Sequence, residues 1–171
     1  MKITDNYVFF WKAYIGNWSK TPNGLSCIIH GKQVLVPTSE HLFMAFKAEF
    51  FQDFEILEKI IQTNDPKIAK NLGRQVKNFN QTAWDNVCFD MMLKAVTIRF
   101  NQDQKFANEI ISEKYTGKEF VEASPFDKIW GIGMDESNPN IEDKSKWMGQ
   151  NLLGKCLNTL RENNKSKENW K

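Results

Sequence analysis

The sequence predicts an α+β fold: a compact, helix-rich single domain, 1–171, with a small β-sheet at its N-terminal end. Three observations predict it. Strand-like runs cluster before residue 37, helical periodicity takes over from Thr38, and one later segment, 118–124, reads as a strand. Strands and helices segregated in this way fit an α+β arrangement better than repeated βαβ units. The chain has 171 residues, 41% of them apolar and 13% aromatic, enough to bury a substantial core.

In chain order, YVFFW (7–11), LSCII (25–29) and QVLV (33–36) have the apolar, β-branched and aromatic content of strands. The turn His30-Gly31-Lys32 suits a hairpin between the second and third, and GNWSKTPNG (16–24) is a loop. Thr38 or Ser39 caps a helix expected to run to about Thr63, with Glu40 where the helix dipole favours an anion. Asp65 as cap and Pro66 as first residue start the next helix, with Gly73 near its end. A further helical run is expected over 82–113, broken near Asn101. After KEFVEAS (118–124) comes a loop rich in Gly, Pro, Asp and Asn, then a last helix over 145–163 and a frayed tail over 165–171.

Composition narrows the function. No run approaches the ~18 apolar residues of a membrane span, and the N-terminal MKITDNYVFF has neither a basic region nor a small-residue cleavage site, so a cytoplasmic protein is expected. Cys27, Cys88 and Cys156 are odd in number and without CxxC spacing, and only His30 and His41 accompany them, which argues against a disulfide framework or a soft-metal site. A net charge of +2 does not by itself announce nucleic acid, but it is compatible with a phosphorylated small molecule.

Three stretches hold candidate chemistry. In TSEHLFMAFKAEFF (38–51), a helical wheel puts Phe43, Phe46, Phe50, Phe54, Leu57 and Ile61 on a core arc, with Glu40 and Lys47 inside that arc and His41 on the opposite, polar side. Two charges on an apolar stripe form either a closed ion pair or the floor of a polar cleft, in which Lys47 could lean back toward Glu40. His41 is expected to be an exposed bystander. In EASPFDKIWGIG (122–133), Asp127, Trp130 and Gly131 bring a carboxylate, a planar face and a bare backbone close together, suited to stacking a base or approaching a phosphate, or equally to a capped turn with a packed Trp. In KWMGQNLLGKCLNTLR (146–161), Met148, Leu152, Leu153, Cys156, Leu157 and Leu160 make a core stripe, and Trp147, Asn151, Gly154 and Asn158 line the other side. Gly149 and Gly154 there suggest close packing or a ligand.

Taken in order, IGNWSKTP (15–22), PTSEHLFMAFKA (37–48), PKIAKNLGR (66–74), TAW (82–84), KFANEII (105–111), FVEASPFDKIWGIG (120–133) and WMGQNLLGKCLNTLRE (147–162) resemble the NADAR family, also called YbiA-like N-glycosidases. The resemblance implies hydrolysis of an N-glycosidic bond between ribose and a base. Two substrate classes go with it: ribosylamino-pyrimidine phosphates of early riboflavin synthesis, and ADP-ribose on guanine in DNA or RNA. A non-catalytic module binding ADP-ribose or a nucleotide is the alternative.

The family pattern falls on Glu40, Lys47, Gly73, Arg74, Trp84, Asp127, Trp130, Asn151 and Gly154. On this resemblance Glu40 stabilises a cationic C1′ and activates water, while Asp127 is the partner that protonates the leaving base. Lys47 either binds a ribose hydroxyl or phosphate, or attacks ring-opened C1′. Trp84 and Trp130 wall the base, Gly131 lets the loop approach the substrate, Arg74 is a phosphate or structural residue, and Asn17 or Asn151 orients the ribose. The chain departs from the family's Ser-Asn-Phe at Gly16-Asn17-Trp18, and from its usual Gln positions at Met44 and Phe46, so Trp18 is expected to alter contacts to the base. No metal or organic cofactor and no membrane partner is expected.

Overall fold

A computed structural model gives the protein's structure and describes residues 1–168. Its strands are β1 (Lys2–Ile3), β2 (Tyr7–Phe10), β3 (Leu25–Ile29), β4 (Lys32–Val36) and β5 (Glu119–Glu122). Its helices are α1 (Ser39–Phe50), α2 (Phe54–Gln62), α3 (Pro66–Gly73), α4 (Gln81–Asp85), α5 (Cys88–Gln102), α6 (Gln104–Ile110) and α7 (Leu152–Glu168). The fold is mixed α and β, as the sequence predicts. Packing divides the chain into two units, Asn17–Gln104, and Met1–Gly16 with Lys105–Lys171.

The first of these units opens with the β3–β4 hairpin, in register from Leu25↔Val36 to Ile29↔Lys32. His30 (φ 49°) and Gly31 (φ 73°) both adopt the left-handed conformation that a two-residue hairpin turn demands. The hairpin buries Leu25, Ile29, Val34 and Val36 and turns Ile28 and Leu35 outward. Helix α1 begins at Thr38, whose side chain accepts from the His41 N–H. It packs against β3, α2, α3 and α5, so it is buried almost all the way round.

The expected helix 38–63 is two helices. Gln52 turns to φ 58° and Asp53 restarts the helix, one carboxylate oxygen accepting from the Ile56 N–H at 3.2 Å and the other from the Lys77 N–H at 2.8 Å. The break resets the helical phase, which is why Phe50 and Phe54, both assigned to the core arc, are each 38% exposed while Ile60 is fully buried. The signals expected at Asp65 and Pro66 do start α3, with the Lys67 N–H donating to Asp65. The expected run 82–113 is broken twice, between α4 and α5 and at Asp103, where Asp103 forms a buried ion pair with Arg99 at 3.1 Å.

In the other unit, β2 lies between β1, antiparallel, and β5, parallel, with Tyr7↔Glu119 through Phe10↔Glu122 aligned. Phe9, Val121, Ala123, Ile132, Met134 and Ile141 form its core, and α7 packs on β5. The expected helix 145–163 starts late: a short 3-10 turn (Lys144–Lys146) is followed by irregular chain, and Asn151 at φ 55° precedes α7. Met148, expected in a core stripe, therefore lies off the helix and is 56% exposed. Gly154 seats α7 against β5, for a Cβ there would come 2.2 Å from the Phe120 carbonyl oxygen. Of the tail expected to fray, 165–168 continue α7, and 169–171 lie outside the described residues.

Candidate active site

In the unit Asn17–Gln104 the site is built on α1. Glu40 occupies its first turn and is buried. Asn17 grips it twice: the Asn17 carbonyl accepts the Glu40 N–H at 3.0 Å, and the Asn17 side-chain amide donates to the Glu40 carboxylate. A donated hydrogen bond of this kind fixes the direction of the carboxylate oxygen. The Asn17 loop is in turn pinned to the chain before α1, the Thr21 N–H donating to the Pro37 carbonyl at 2.9 Å.

Lys47, two turns along the helix, is half-buried. Its ammonium lies over the rings of Phe79, at 4.2 Å from the centroid, and Trp84, at 5.5 Å. Burial holds the Lys47 pKa below its ordinary 10.5, and the positive charge of Arg74 adds to the effect. Trp84 is buried against Phe43, Phe50 and Phe51, a wall of aromatic rings. Arg74 sits exposed at the C-cap of α3. Helix α3 can approach α1 because Gly73 has no side chain: a Cβ there would lie 2.1 Å from Met44 Sδ. Trp18 stands in solvent beside Lys70, whose Nζ is 5.6 Å from its ring. Asn17, Glu40, Lys47, Arg74 and Trp84 therefore belong to one set of packed elements.

His41 corrects the wheel. Expected on a polar face, it is fully buried, because its side of α1 is covered by packed elements rather than by water. Its Nδ1 lies 2.7 Å from the Thr38 hydroxyl. Burial pushes its pKa down to about 4, opposed in part by the Thr63 main chain. The neutral ring is a packing element of the cap.

In the unit containing β5, Asp127 organises its own turn: one carboxylate oxygen accepts from the Ile129 N–H at 3.0 Å and the Trp130 N–H at 2.8 Å. Gly131 is packed by backbone, its missing Cβ falling 2.9 Å from the Glu122 carbonyl and 3.0 Å from that of Asp127. Asn151 gives both ends of its amide to β5, accepting from the Glu122 N–H at 2.9 Å and donating to the Phe120 carbonyl at 3.1 Å. Gly149 is equally enclosed, 2.3 Å separating its would-be Cβ from the Gly131 carbonyl. Trp130 is half-buried.

Sequence reasoning missed Phe79, Lys70 and Asp53. Asp53 had a local signal, a capping residue three before Ile56 where the apolar phase slips. Phe79 and Lys70 had none, since their roles depend on how α3 and the segment after it fold back on α1.

The sequence matches the NADAR domain family over residues 8–164. It is 36% identical over 171 residues to an N-glycosidase of Acanthamoeba polyphaga mimivirus, covering 94% of this chain and 98% of that protein. It is 29% identical over 126 residues to N-glycosidase YbiA of Escherichia coli (strain K12), 74% of this chain and 69% of the other. A riboflavin biosynthesis protein of Vibrio vulnificus is 28% identical over 140 residues, and there the chain, 82% covered, spans only 34% of the relative. The NMR structure of E. coli YbiA superposes with a TM-score of 0.72 at 24% identity, covering 98% of this chain and 89% of that one, a likeness of fold. By the span of that family match and its near full-length similarity to the mimiviral protein, the chain belongs to the NADAR domain family.

Proposed function

We propose that this N-glycosidase cleaves a ribose-to-base C1′–N bond with Glu40 and Lys47 as its catalytic pair. The observation that carries the reading is the buried Glu40 carboxylate, held by Asn17 on the helix that also carries a lysine of lowered proton affinity. Leaving of the nitrogen builds positive charge at C1′, and a fixed, ionised carboxylate stabilises it and draws a proton from water.

The lowered pKa of Lys47 raises the share of free amine at a given pH, which supports its covalent role. In that route the ribose ring opens to an imine between C1′ and the base nitrogen. The Lys47 amine adds to C1′, the base leaves with its nitrogen protonated, and a Lys47–C1′ imine remains. Water then hydrolyses the imine, releasing the sugar and restoring the amine, so that one water is consumed per bond cleaved. Trp84 and Phe79 give the base or sugar an aromatic wall, Trp18 a second ring, and Arg74 a phosphate contact.

Asp127 is assigned the shaping of the Trp130-Gly131 turn, since its oxygen is already engaged by two of that turn's N–H groups. Asn151 is assigned the positioning of β5 rather than direct contact with ribose. The substrate is one of two classes, guanine carrying ADP-ribose in nucleic acid or a ribosylamino-pyrimidine phosphate; the naming of one relative for riboflavin biosynthesis supports the second.

Both substrates, incubated separately and followed by mass spectrometry for free base, test the reaction. Glu40→Gln is expected to lower kcat by about 100-fold or more; undiminished turnover would overturn the assignment. Borohydride added during turnover is expected to trap a sugar adduct on Lys47, and its absence would return Lys47 to a binding role.

A further inference from the structure

We propose that Phe79 is a positioning residue for the reaction, its ring holding the Lys47 side chain beside Trp84 so that the amine meets C1′ in one place. The inference rests on the preceding reading of Lys47 as the nucleophile. It adds to the place of Phe79 in the aromatic wall a task performed through the lysine.

A tethered segment delivers the ring. After α3 the Gln75 N–H donates to the Leu72 carbonyl at 2.8 Å and Val76 is buried. The buried Asp53 carboxylate then takes the Lys77 N–H at 2.8 Å. Asn78 enters the left-handed region at φ 58°, which asparagine tolerates better than most residues, and Phe79 follows at once. Asn80 caps α4, its side chain accepting from the Ala83 N–H at 2.9 Å, and α4 carries Trp84. The two rings that meet Lys47 thus come from the two sides of one cap. Phe51, at the C-cap of α1, backs both, its centroid 5.3 Å from that of Phe79 and 6.2 Å from that of Trp84.

Phe79 is 41% exposed, so core burial accounts for only part of its being held there. Lys47 Nζ lies 4.2 Å from its centroid, nearer than the 5.5 Å to Trp84, and both fall within the ~6 Å over which a ring face attracts a cation. A lysine stem is long and rich in rotamers, and a reacting group misplaced by about 1 Å can lose about 100-fold in rate. The ring narrows that freedom. A carboxylate in its place would also hold the ammonium, but by favouring the charged form it would retain the proton that a nucleophile must lose. The phenyl ring acts in two opposed ways. Its face favours the ammonium, while its bulk keeps water off and favours the amine, as does the positive charge of Arg74 at the C-cap of α3.

Three variants of the full chain separate these effects: Phe79→Leu keeps the apolar cover and removes the ring face, Phe79→Ala removes both, and Phe79→Tyr keeps both. With the candidate substrate that the unaltered chain cleaves, Phe79→Leu is expected to lower kcat about 10-fold while KM changes about two-fold or less, and Phe79→Tyr to retain kcat. The midpoint of the pH–rate profile is expected to move further below 10.5 in Phe79→Leu and up toward 10.5 in Phe79→Ala. Borohydride trapping on Lys47 is expected to slow in both. Melting curves accompany each variant, and where Phe79→Ala does not fold, the Leu and Tyr variants decide. Unchanged kcat in Phe79→Leu, equal loss in Phe79→Tyr, or a rise in KM that outweighs the fall in kcat would each overturn the proposal. An adduct formed equally fast by Phe79→Leu would overturn it alone. A chain that cleaves neither substrate, or one with a flat pH profile and no adduct, would overturn the reading of Lys47 and this proposal with it.

Discussion

Asn17 is the residue that converts Glu40 from a buried liability into a directed carboxylate, since it satisfies both the main chain and the side chain of its partner. Asn17→Ala removes that donated hydrogen bond, and kcat is expected to fall about 10-fold or more, with circular dichroism unchanged. Lys47 carries the opposite tension. Its folded pKa lies below 10.5, so between that lowered value and 10.5 the unfolded chain binds a proton that the folded chain does not. Stability contributed by Lys47 therefore rises with pH across that window and is lower at neutrality. Lys47→Met keeps the stem and removes the charge, so it is expected to hold or raise the melting temperature at pH 7 while abolishing turnover, a trade of stability for function. In the unaltered enzyme, activity is expected to climb with pH to a midpoint below 10.5; a flat profile would deny the amine its role.

At the scale of elements, α1 explains both what the sequence made legible and what it hid. Glu40 and Lys47 were legible because a charge among phenylalanines is visible in one dimension, as were the caps at Thr38 and Asp65. His41 was misread because a wheel assumes that one side of a helix faces water, and α1 is covered by β3, α2, α3 and α5. The parallel pairing of β2 with β5 was illegible for another reason: its partners are separated by more than a hundred residues, and no local pattern records that distance. The cap around His41 makes an acid-sensitive joint. As pH falls below 6.5 the unfolded chain takes up the proton, while the folded ring refuses it until about 4, so this stability is present above 6.5 and is lost through that interval. The gap corresponds to about 3 kcal/mol. His41→Gln is expected to remove most of that acid dependence, read as a smaller fall in melting temperature between pH 7 and 4.5. The α1–α3 contact is equally specific. Gly73→Ala drives a methyl group into Met44 and is expected to destabilise by about 1–3 kcal/mol and to lower activity through displacement of Arg74; adding Met44→Ala should recover part of the first loss.

On the scale of the whole molecule, chain order decides which unit depends on distant sequence. Asn17–Gln104 is continuous, whereas the other unit joins Met1–Gly16 to everything after Gln104. Its sheet cannot close until both ends of the chain are present, because β2 supplies the central strand and β5 its parallel neighbour. Contacts so far apart in sequence repay the entropy of loop closure late in folding. Two truncations separate the strands. Removing residues 1–3 takes away β1, whose two residues are exposed at the sheet edge, and is expected to cost about 1 kcal/mol or less. Removing residues 1–10 also takes away Val8, Phe9 and Phe10, all fully buried, and leaves β5, with its buried Phe120 and Val121, without its partner strand. Each large side chain lost from a core costs about 2–5 kcal/mol, so three of them reach the stability of an ordinary domain. The longer truncation is therefore expected to lose its cooperative thermal transition and to bind a hydrophobic dye, while the shorter one melts as a folded protein. A cooperative transition in the chain lacking 1–10 would mean that β5 and α7 hold their core without the central strand.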